Sequence, residues 1–230
     1  MGRRYRAAVV RTVIVWTVIV AMGLSPSLAY AQPLPGAAAG QAKLDLGYVT
    51  PEAAGVVVAH PHRVLSAPQM EMLPVEVLSA AGLKELGIDP VEIEQVMAIA
   101  EPPRGPALPQ AGVVVRMRGP LPQGPILGPL WERTAEGQLE GKSYRQAKGP
   151  LDFSIFHVND RTLLAAHNGL LRKMLANHAH PQPGAMSQLL GRISEPPDLA
   201  AVLLVEPFQP LVALPLAMAP LPPQFAQLKR

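Results

Sequence analysis

Histidine offers the first chemistry in this sequence. Two His-x-His pairs, His60-Pro61-His62 and His178-Ala179-His180, hold four of its six histidines. Four imidazoles brought together would suit zinc or copper, which take neutral ring nitrogens. No feature of the spacing joins the two pairs, however. His178 and His180 fall at the end of a predicted helix before Pro181, where imidazole suits the negative end of the helix dipole. His60 closes a predicted strand. His60, His62, His178 and His180 are the metal candidates the residues offer, no ligand set is assigned, and no cofactor is expected.

Other chemistries find less footing. Beyond the first 31 residues the serines are 66, 79, 143, 154, 187 and 194, none of them in a Gly-x-Ser-x-Gly elbow or a Ser-x-x-Lys. Ser66 reads as a helix cap or a loop hydroxyl. Glu71 with Glu76 reads as a solvated face and Glu92 with Glu94 as the start of one helical turn, while Asp152 and Asp160 read as turn residues. Neither a dinucleotide fingerprint nor a Walker loop occurs. Arg63, Arg116, Arg118 and Arg145 would make an anion patch only if their strands were neighbours; a solvent face is the simpler expectation. With no cysteine, the chain has neither disulfides nor thiol chemistry.

The elements that must position these residues begin after a targeting segment. Arg3, Arg4, Arg6 and Arg11 precede the uncharged run Thr12 to Leu24, and Ala29-Tyr30-Ala31 has the small-x-small form that a signal peptidase cuts. Residues 1–31 therefore read as a signal peptide cleaved after Ala31. An uncleaved signal is the one route to the membrane that the sequence offers. Thirteen apolar residues make about 20 Å of helix, short of the roughly 30 Å hydrocarbon core. Without the signal's four arginines, 16 basic residues face 17 acidic ones, a net charge of −1. No basic field remains to attract nucleic acid.

Residues 32–46 form a Pro/Gly/Ala-rich tether. A first unit, 47–197, opens with a strand at 55–60 whose apolar run predicts cover on both faces. A helix within 68–86 should start or kink at Pro74 and end at Gly87, its buried side being Leu73, Val77, Leu78, Ala81 and Leu86. Asp89-Pro90 starts a brief turn. Strands follow at 95–101, 112–118 and 141–147, with Arg116 and Arg118 on one face of the second. Residues 126–131 make a short helix or an apolar loop. A hairpin, 152–158 with 161–167, should set Phe156 against Leu163 and Val158 against Arg161. Asn168-Gly169 then starts a helix carrying Leu170, Leu171, Met174 and Leu175, and another helical piece covers 186–193.

Residues 54–74 are echoed at 200–220. Ala54, Val56, Pro61, Leu65, Ala67, Met72 and Pro74 recur as Ala200, Val202, Pro207, Leu211, Ala213, Met218 and Pro220. This predicts an internal repeat. Residues 198–230 would begin a second unit that lacks counterparts of strands 95–101 and 112–118, as in a shortened form of a longer protein. The fold class expected is α+β, a mostly antiparallel twisted sheet with helices 74–86 and 169–178 on one face.

The segments GYVTPEAAGVVVAHPHRVL, VEIEQVMAIAEPP, FHVNDRTLLAAHNGLLRKML and VLLVEPFQPL resemble a group of bacterial exported proteins of uncharacterised activity. In that group an Asp-Arg-Thr-Leu hairpin and a Leu-rich helix recur, often in longer chains. The resemblance spans about residues 47–228. It implies export and an α+β fold, and transfers no catalytic residue. The expected function is a non-catalytic protein, periplasmic, envelope-associated or secreted, acting by protein contacts or as a scaffold. Its partner would be another protein, or a second copy met through the incomplete second unit. The alternatives are a carrier of an apolar ligand in a groove between sheet and helices, then a metal binder or hydrolase using the histidine pairs.

Overall fold

The computed structural model describes residues 44–72, 74–102, 109–126, 129–132, 134–139, 142–148, 152–193 and 197–208. The signal segment with Ala29 and Ala31, most of the tether, Leu73 and residues 209–230 lie outside them. The described chain is mixed α/β, with an eight-stranded sheet in the order β4-β5-β6-β7-β3-β2-β1-β8. Every pairing is antiparallel.

The β-branched run of β1 (Gly55–Ala59) suits a pleated strand. Its burial alternates, with Val56 and Val58 inside, which corrects the expectation of cover on both faces. Residues 61–86 are divided. Pro61 opens α1 (Pro61–Leu65) at a first-turn position where its missing N–H costs no bond, and a 3-10 turn covers Pro68–Met70. Pro74 then stands at the N-cap of α2 (Val75–Leu86). Gly87 caps α2 at φ 68°, and a Cβ there would lie 2.4 Å from the carbonyl oxygen of Pro125. The expected inner side of α2 needs correction: Leu86 and Gly82 are buried, whereas Val77 and Ala81 are exposed. This helix rests on Ile88 and Pro90 through Gly82, whose bare Cα permits the close approach.

Asp89 caps the turn Pro90–Glu92 by accepting from the Val91 N–H at 3.0 Å. The strand after it, β2 (Ile93–Glu101), begins with a register shift between Ile93 and Gln95. The extra residue, Glu94, is thereby brought beside Arg116 of β3 (Gln110–Met117). Arg118 lies past the end of β3, so the two arginines do not form a strand-face pair. After the short α3 (Pro129–Glu132) comes β4 (Thr134–Leu139), which sequence reading had left out because TAEGQL has no apolar run. It pairs with β5 (Lys142–Ala147).

The hairpin of β6 (Ser154–His157) and β7 (Thr162–Ala166) is shifted by one residue from the expected register. Phe156 faces Leu164 and His157 faces Leu163, while the Val158 N–H donates to Thr162 O. The loop takes in Arg161, whose N–H donates to Asn159 Oδ1 at 2.9 Å, because this side-chain turn accommodates three residues rather than two.

Two rows of inward side chains run across one sheet face. Val56, Ile99, Gly112 and Ala166 form one; Val58, Met97, Val114, Leu164 and Phe156 form the next. Leu170, Leu171 and Met174 of α4 (Asn168–Ala179), with Met186 and Leu190 of α5 (Ala185–Leu190), close over them. Gly112 is where α4 settles: a Cβ would come within 2.9 Å of Met174 Sδ and 2.8 Å of Ala166 Cβ. Burying each such Leu or Met stabilises the fold by roughly 1.5–3 kcal/mol. The same core holds Tyr48 and Val49 from the strap Leu44–Thr50. The last described strand, β8 (Leu199–Leu203), pairs with β1 at the margin of the described sheet, Val202 opposite Val56.

Candidate functional site

Beyond the second aliphatic row the same face turns polar. Gln95, Arg116 and Thr162 stand side by side on β2, β3 and β7. Asp45 and Tyr48 of the strap, with Met97 and Val114, complete a cavity of about 20 Å³. The strap is held from α4 by Asn177, whose Nδ2 donates to Gly47 O at 2.7 Å and to Val49 O at 3.0 Å. In addition, the Tyr48 and His178 rings stack in parallel with centroids 4.1 Å apart. Beside the cavity, an open depression of about 420 Å³ runs between Asp45, Gly47, Asn177, His178 and Pro183.

Burial pushes the Tyr48 phenol up to about 12, Asp45 adds to the rise and Arg116 opposes it. Tyr48 is therefore a protonated hydrogen-bond donor at physiological pH and not a base. Gln95 Nε2 is buried without a hydrogen-bond partner among the described residues. The cavity has room for one water molecule and the polar groups to hold it. Arg116 is occupied by Glu94 at 3.2 Å. The arrangement supplies hydrogen bonding from Tyr48, Gln95, Arg116 and Thr162, with the Asp45 carboxylate as an acceptor.

A second polar group ties the strap end to the sheet. Glu101, its side chain 3% exposed, accepts from Thr50 Oγ1 at 2.8 Å and from Lys173 Nζ at 2.6 Å. Lys173 also reaches Glu52 at 3.1 Å. At the start of α4, the Ser154 hydroxyl donates to Asn168 Oδ1, and Asn168 Nδ2 donates to Asp152. Ser154 thus anchors a helix end.

The histidine pairs are engaged separately. His60 donates from Nδ1 to Pro197 O at 2.9 Å, and burial lowers its pKa. His62 Nδ1 lies 3.0 Å from Val91 O. His178 stacks on Tyr48, and His180 is exposed after α4. Among the described residues, no three His, Cys, Asp or Glu side chains gather where an ion could be held. The four arginines are dispersed too: Arg63 meets Asp198 at 3.0 Å, Arg118 sits by His62, and Arg145 pairs with Glu136 at 3.2 Å and covers the Trp131 ring.

Sequence reading missed Asn177, Gln95 and the Glu101–Lys173 pair. One signal was available. Lys173 falls three residues after Leu170 and next to Met174, on the side of the helix that carries its apolar stripe. Among the described residues no helix is long and apolar enough to cross a membrane. No family model, curated protein or solved structure matches the chain.

Proposed function

We propose that this is an exported protein of the cell envelope or extracytoplasmic space that works through protein contacts, as a binding partner or scaffold. Export rests on the arginine-led apolar segment ending at Ala29-Tyr30-Ala31. One observation carries the contact role. Among the described residues the sheet ends on β8, an uncharged strand, LAAVL, with Leu203 61% exposed and Val205 64% exposed just after it. An apolar edge strand left open is a template for pairing, and folds that do not use it normally blunt it. α2 adds Val77 and Leu83, which are also exposed.

The finer reading of the fold, a duplicated strand and turn, belongs to the same proposal. It is supported by the two related segments lying side by side, with Val56 opposite its counterpart Val202. It is supported too by a helical turn after each strand, α1 after β1 and Glu206–Phe208 after β8.

Chemical cross-linking in intact cells, followed by fractionation, tests the function. The expected product is a specific adduct in the extracytoplasmic fraction, carrying cross-links near residues 199–206. A chain retained in the cytoplasm, or one that forms no adduct, would overturn the reading.

A further inference from the structure

We propose that the occupant of the β8 edge is a second copy of this chain, bound by antiparallel pairing of β8 with β8 about a two-fold axis through Ala201. The inference rests on the contact role proposed above and names its partner. The two margins of the sheet formed by the described residues differ. β4 is blunted by the exposed Glu136 and by Gly137 and Gln138, whereas β8 carries no charge between Asp198 and Glu206.

Backbone geometry sets the register. The Leu204 N–H donates to Ala54 O, and the His60 N–H donates to Asp198 O. Residues 198, 200, 202 and 204 therefore turn their peptide groups toward β1. By alternation Leu199, Ala201 and Leu203 present theirs to the side away from β1, where no described residue bonds to them. Pairing about Ala201 sets Ala201 against its own copy and Leu199 against Leu203. All three positions are hydrogen-bonded pairs, so the peptide groups turned away from β1 are used without remainder.

Charge does not oppose this arrangement. Asp198, already paired with Arg63, would face Leu204 of the copy, and no like charges fall opposite each other. The fold shows that this strand type tolerates its own kind as a neighbour, since β8 already lies antiparallel on the related β1. A two-fold pairing of identical edges also closes the sheet, whereas a pairing of unlike edges would propagate.

The test is light scattering and sedimentation of the full chain, expressed with its own N-terminal segment and purified as the cell processes it. A mass of twice the chain is expected, with slow amide exchange at Leu199, Ala201 and Leu203. Ala201→Pro removes only an outward N–H, and Leu203→Lys adds a charge to an exposed side chain. Each should keep the circular dichroism and weaken dimerisation about tenfold or more. Val202→Pro removes a bond to β1 and should instead unfold the margin. A monomer at every concentration overturns the inference while leaving contact with another protein in place. A dimer insensitive to both Ala201→Pro and Leu203→Lys overturns it as well, and moves the interface elsewhere. Loss of all adducts in cells would instead remove the contact role itself.

Discussion

The pair Glu101–Lys173 should respond asymmetrically to removal of either partner. Glu101 is buried and holds two donors, Lys173 Nζ at 2.6 Å and Thr50 Oγ1 at 2.8 Å. Lys173 is 32% exposed and keeps Glu52 at 3.1 Å if Glu101 is lost. Lys173→Met strands a buried carboxylate, a change that costs about 3–5 kcal/mol when the charge has no other support. Thr50 remains and water can reach the vacated side, so about 2–3 kcal/mol is expected here. Glu101→Gln keeps the Thr50 bond and leaves the ammonium to Glu52 and solvent, for about 1 kcal/mol. Urea unfolding at neutral pH separates the two. In a domain of this size each kcal/mol moves Tm by about 2–4 °C. The double variant Glu101→Met with Lys173→Met should recover part of the loss, because both charges leave the interior together. Glu101→Gln costing as much as Lys173→Met, or Lys173→Met within about 0.5 kcal/mol of the parent, would refute the reasoning.

Three further outcomes follow from named contacts. Gly82→Ala, which in an open helix would gain about 1 kcal/mol, should instead destabilise by about 1–3 kcal/mol, because its Cβ would lie 2.3 Å from Pro90 Cδ and 2.8 Å from Ile88 O. Gly169→Ala meets only the flexible Gln110 side chain at 3.2 Å and should be neutral or stabilising, so thermal melts of the two variants should move in opposite senses or differ clearly in size. Asn177→Ala removes bonds to Gly47 O and Val49 O and the acceptor of the Gln182 N–H, and should cost about 2–3 kcal/mol, with protease cleavage appearing first within residues 44–50. Burial lowers the pKa of His60, so the unfolded chain binds more protons and stability should fall as pH drops below about 6.5, levelling off below the folded pKa. Calorimetric melts from pH 7.5 to 5 should show that slope reduced in His60→Asn; an unchanged slope would count against the assignment.

What could be read in advance, and what could not, divides along one physical line. Signals carried by a single stretch of chain appeared where expected. The β-branched run of β1, Pro74 before α2, Gly87 after it and Asp89 at its turn act through local sterics and capping alone, and each stands at its predicted place. Errors came wherever tertiary context set the answer. Strand β4 has no apolar run because it lies at the sheet margin with Glu136 in solvent, and only its ladder with β5 makes it a strand. The hairpin slipped by one residue because the Asn159 side chain took an extra residue into the loop. Val77 and Ala81 fit a helical stripe, yet the contact that decides the orientation of α2 is Gly82 on Pro90, which no periodicity announces. The polar cavity was illegible for the same reason: Gln95, Arg116 and Thr162 become neighbours only through strand register, and the bulge at Glu94 sets that register. The likeness between residues 54–74 and 200–220 occupies the middle ground. Its residues are visible in the sequence, but that Val56 lies against Val202 depends on an antiparallel pairing that shared composition alone does not specify. The same pairing turns the peptide groups of Leu199, Ala201 and Leu203 away from β1, to the side on which the second copy is proposed to pair.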